Sequence, residues 1–100
     1  MTEENKELGE ETLSFLNYIA SLAFQAMIFL GEVPSPITNQ VEKNVVQAKL
    51  LIDTLSMLKE KTAGNLTDEE DNLLNGVLYE LHLKYVDVSQ KEQGKIITEL

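Results

Sequence analysis

From Leu13 to Leu30 the chain carries eighteen consecutive residues without a charged side chain, and the other elements have to be read against this stretch. On a helix turning 100° per residue, its polar side chains Ser14, Asn17, Ser21 and Gln25 follow at spacings of three, four and four, one narrow uncharged stripe. Leu13, Phe15, Leu16, Ile19, Leu22, Ala23, Phe24, Ala26, Met27, Phe29 and Leu30 fill the rest of the wheel, and Ile28 intrudes on the stripe itself. A helix packed on one side needs an apolar arc somewhat wider than about 100°, and this one has more than about twice that. It must therefore be covered from at least two directions.

Two further helices follow from the pattern. Gly31, with Pro34 and Pro36 beyond it, ends the first helix. Val41, Val45, Ala48, Ile52 and Leu55 then repeat at four, three, four, three, with Leu51 and Leu58 widening the face and Glu42, Lys49, Asp53, Ser56 and Glu60 opposite. Gly64 supplies the next stop, and Thr67-Asp68-Glu69-Glu70 fits a capping box in which the Thr67 hydroxyl and the Glu70 carboxylate each accept from the other residue's amide. Leu74, Val77, Leu78, Leu81, Tyr85 and Val88 carry the third helix. The pattern thus predicts helices over about 12–30, 39–62 and 68–88, an all-α antiparallel three-helix unit in one domain. A charged leader over 1–11 precedes it and a flexible or weakly docked tail over 89–100 follows.

Composition narrows the function classes. One hundred residues make one modest core, for which oligomerisation is an ordinary way to add buried area. Eight Lys and no Arg stand against 17 acidic residues, and the net charge of -9 opposes a phosphate backbone and an anionic lipid surface alike. Neither nucleic acid nor peripheral membrane attraction fits. With no Cys there is no disulfide, thiolate nucleophile or thiolate metal site. The acid-rich start does not read as a secretory signal, and a cytoplasmic location is expected.

Several runs resemble a known family. Ala48-Lys49-Leu50-Leu51-Ile52-Asp53-Thr54-Leu55 and Lys61-Thr62-Ala63-Gly64-Asn65-Leu66-Thr67-Asp68-Glu69-Glu70 are similar to a bacterial family of short helical proteins known as domain of unknown function 1844. Ser21-Leu22-Ala23, Leu30-Gly31-Glu32-Val33-Pro34, Leu73-Leu74, Glu80-Leu81 and Tyr85-Val86 extend the resemblance over roughly Phe15 to Val86, with a departure at His82, where that pattern has a basic residue. The resemblance implies a bacterial, intracellular, all-helical protein and brings no catalytic or binding residues with it.

Candidate chemistry is sparse. Asp68, Glu69, Glu70 and Asp71 point around a helix axis instead of converging on a cation, and suit the helix dipole. His82 has Tyr79, not Glu, three residues before it, so the carboxylate-bundle metal signature is missing. Lys49 and Asp53 form an exposed i,i+4 pair, and Asn65 suits a turn. One His and no Cys leave no usual nucleophilic triad, and no Gly-rich phosphate loop is present. No catalytic residue, cofactor or metal is assigned, and a non-enzymatic protein is expected.

The resulting expectation is a protein–protein interaction module. The second and third helices cover one side of the first, and a second copy covers the other, as a homodimer or higher homo-oligomer with an unidentified protein partner. Phe15, Leu22, Ala26 and Phe29 are the expected self-association face. Two alternatives stand beside it: the Leu13 to Leu30 helix inserted in a membrane, against which Asn17, Gln25 and the bracketing Glu10, Glu11 and Glu32 argue, and a small-molecule site beside the Ser14, Asn17, Ser21, Gln25 stripe.

Overall fold

In a computed structural model, described over residues 14–99 and with side chains through Glu92, the chain forms three α-helices: α1 (Phe15–Leu30), α2 (Val45–Lys61) and α3 (Asp68–Glu99). Each helix packs on both of the others, and no strand occurs among the described residues. The leader over 1–11 lies outside those residues.

The ends of α1 are set by local chemistry. Ser14 stands outside the helix in extended conformation, and its hydroxyl accepts from the Asn17 amide at 3.1 Å. At the other end Gly31 takes φ 83, a left-handed conformation that a Cβ would strain. The Gly31 amide donates to Ile28 and the Glu32 amide to Met27, both at 3.0 Å, which uses two carbonyls that the helix would otherwise leave unpaired.

The second helix starts at Val45, not at residue 39. Asn39 sits at φ 58, and around it the Ser35 amide donates to the Gln40 carbonyl while the Asn39 amide donates to the Ser35 carbonyl. Asn44 then caps α2, accepting from Gln47, while its own amide donates to the Phe29 carbonyl at 2.7 Å. Those bonds hold residues 35–44 in a turn, so Val41 continues the apolar spacing only in sequence; it is 62% exposed. At the far end Thr62, not Gly64, is the cap: its amide and hydroxyl both donate to the Leu58 carbonyl. Gly64 lies in the following turn at φ 82.

Thr67 and Glu70 exchange the two bonds of the capping box, 2.9 Å from the Thr67 amide and 3.1 Å from the Glu70 amide. From there α3 runs to Glu99 instead of ending at residue 88, because no proline interrupts the segment and the backbone stays helical through Gly94.

The core is a single cluster. α1 contributes Ile19, Leu22, Ala26 and Leu30, α2 contributes Ala48, Ile52 and Leu55, and α3 contributes Leu74, Leu78, Leu81 and Val88. Sequential helices run antiparallel: the Phe29–Asn44 bond joins the end of α1 to the start of α2, and Lys43 reaches Glu92 at 3.7 Å. Lys84 lies 3.8 Å from Glu32, so α1 and α3 run parallel. These exposed ion pairs add little stability. Burial of the aliphatic side chains, about 1.5–3 kcal/mol for each, supplies it.

Replacing Leu55 with Ala should cost about 2–5 kcal/mol, because a fully buried side chain leaves a cavity among three helices. Urea unfolding reads this directly, and a loss below about 0.5 kcal/mol would contradict the packing described. Thr67→Ala should cost about 1 kcal/mol in the same assay through loss of the cap; an unchanged midpoint would mean that the box contributes nothing.

Candidate interaction surface

The inward face of α1 leaves a defined outward face. Asn17, Tyr18, Ser21, Phe24 and Gln25 are exposed, with Ile28 half-buried beside them. Tyr18 is 53% and Phe24 49% accessible, large apolar areas to leave in water. Between them lie the polar groups of the stripe: the Gln25 amide nitrogen sits 3.5 Å from the Ser21 hydroxyl, a long contact on the same face.

This geometry corrects the expected self-association face. Leu22 and Ala26 point into the three-helix core, and Phe15 and Phe29 pack partly buried against it. On a helix that is apolar nearly all round, large side chains do not reveal which way is inward. The direction opposite the polar stripe does, and it points to Ile19 and Leu30, which complete the buried row.

Beside the outward face the 31–44 turn builds a cleft of about 430 Å³, lined by Phe24, Ile28, Phe29, Pro36 and Ile37, with the Gln25 amide, Ser35 and the Glu42 carboxylate as its polar members. The turn is held by its own bonds. The Ile37 amide donates to the Ser35 hydroxyl at 3.3 Å, the Gln40 amide to the Thr38 hydroxyl at 3.4 Å, and that hydroxyl to Glu42. Ile37 itself is 92% exposed, an aliphatic side chain displayed on an ordered turn. Nothing in the sequence pattern joins Phe24 to Ile37; the reversal after Gly31 does.

The other sequence candidates are dispersed. Lys49 and Asp53 pair at 2.8 Å on the surface of α2, and the bond from Asp53, then its charge, raises the Lys49 pKa. Val46, Leu50 and Tyr85 adjoin that pair in a shallow depression. His82 and Tyr79 line a larger open depression of about 630 Å³ with Ser56, Lys59, Glu60 and Asn75. Asn65 is exposed in the α2–α3 turn, where its amide donates to the Thr62 carbonyl. Asp68, Glu69, Glu70 and Asp71 form the first turn of α3. Among the described residues no three His, Cys, Asp or Glu side chains gather as metal ligands, and no helix is long and apolar enough to cross a membrane.

Neither curated proteins nor solved structures give a match to the chain. The family described as Domain of unknown function (DUF1844) matches residues 12–87, a span that contains all of α1 and α2, the turn bearing Ile37, and α3 as far as Asp87. With about three-quarters of its length matched, including both elements that form the cleft, the chain belongs to the DUF1844 family.

Proposed function

We propose that the protein is a non-enzymatic interaction module of the bacterial cytoplasm that works as a homodimer through the outward face of α1. The observation that carries this reading is the charge-free character of that face in a chain of net charge -9. Two copies of so acidic a molecule repel wherever acids face acids. From Ser14 to Leu30 there is no acid to repel, while Tyr18 and Phe24 stand half exposed.

The polar members of the face support a contact between identical surfaces. In a two-fold dimer the same patch meets itself, so its groups must complement their own kind. A serine hydroxyl and a glutamine amide each carry both donor and acceptor, and Ser21 and Gln25 can therefore bond to one another across the axis. Such a dimer leaves Val46, Leu50, Tyr79 and Leu83 exposed on α2 and α3 for a different protein.

Light scattering after size exclusion, over a dilution series, should return twice the chain mass of 11.2 kDa. Phe24→Asp should return the single-chain mass with helix content unchanged, since Phe24 lies outside the core. A wild-type monomer at every concentration would overturn the reading.

A further inference from the structure

We infer that the dimer, if α1 mediates it as proposed above, has one register: α1 lies antiparallel to its mate, Ser21 bonds the partner's Gln25, and Tyr18 fills the partner's Phe24–Ile28–Ile37 cleft. The register follows from the polar pairs. Within one chain Gln25 and Ser21 are a helical turn apart on the outward face and only 3.5 Å apart at their polar atoms. An antiparallel mate placed so that each Ser21 meets the other's Gln25 satisfies both ends of the stripe at once. Amide and hydroxyl groups left unpaired under the covering helix would each be costly, so this register is selected over its neighbours.

Antiparallel pairing keeps the sum of paired positions constant, and Tyr18 then stands opposite the partner's Ile28. Ile28 lines the cleft of about 430 Å³ that the 31–44 turn closes on its far side. A tyrosine ring suits that space: Phe24, Ile28, Phe29, Pro36 and Ile37 receive the ring, and the Glu42 carboxylate in the same cleft is an acceptor for the phenol hydroxyl. The wall holding Ile37 is preformed by bonds from the Ser35 and Asn39 amides at 2.9 and 2.8 Å, so docking does not have to order it. Near the axis the two Phe24 rings meet, one from each chain, at the spacing of an aromatic pair.

The second copy is the occupant favoured by charge. No charged side chain of α1 enters the contact, and Glu32 falls opposite the partner's Ser14 instead of an acid. In the cleft, the one carboxylate faces a hydroxyl donor.

The test uses the absence of native cysteine. A disulfide requires Cα atoms within about 7 Å, so Ser21→Cys and Gln25→Cys chains mixed in equal amounts should cross-link to each other faster than either variant cross-links alone. Tyr18→Ala should weaken dimerisation by about tenfold or more in the dilution series, from loss of a buried aromatic side chain, and Tyr18→Phe should weaken it less. A dimer that forms without preferential Ser21Cys to Gln25Cys linkage, or that is unaffected by Tyr18→Ala, would overturn this register while leaving the dimer intact. A monomeric wild-type chain would overturn both and give the cleft to a different occupant.

Discussion

Everything in this fold depends on burying one helix that has almost no polar side to offer. α1 turns Ile19, Leu22, Ala26 and Leu30 inward, and neither neighbour alone could cover them, since a single helix–helix contact screens only a stripe. α2 and α3 are therefore both required, each lending its own buried row. The caps at Ser14 and Gly31 fix where the burden begins and ends, and the Asn44 to Phe29 bond sets α2 back against the helix it must cover. The acidic exterior then falls on the remaining faces, where it costs no desolvation.

The same constraint explains why an uncovered face persists. Three mutually packed helices enclose one core, and an apolar arc wider than that core leaves a remainder outside. Tyr18, Phe24 and Ile37 are that remainder, held beside hydroxyl and amide groups and kept clear of charge. Single exposed apolar residues are ordinary; a contiguous set on an ordered helix and an ordered turn, next to a cleft, is what a partner surface looks like.

How much of this could be read from residues alone varied with the range of the forces involved. Three antiparallel helices were legible because the apolar spacing of Ala48, Ile52 and Leu55, and of Leu74, Leu78 and Leu81, belongs to helices whatever they pack against. Gly31 and the Thr67–Glu70 pair were legible because their bonds reach only a few residues. The start of α2 was not: Val41 keeps the spacing, but the bonds of Ser35, Asn39 and Asn44 close a turn that includes a contact back to Phe29. The inward face of α1 was misassigned to self-association because bulk was followed where the polar stripe gave direction. The cleft joins Phe24 to Ile37 across a chain reversal, which no local pattern encodes.

The order of the elements along the chain carries a consequence for biosynthesis. α1 is made first, yet both helices that shelter it are made afterwards, the inner row of α3 ending only at Val88. At roughly 5–20 residues per second, a ribosome adds the intervening stretch in about 3–12 s. For that interval the most apolar segment of the protein has none of its native cover, and helix formation cannot hide it, because a helix of sixteen residues is marginal on its own. A nascent chain of this design depends on what else binds greasy segments at the exit of the ribosome, and its yield in a cell is set there before its folded stability has any say.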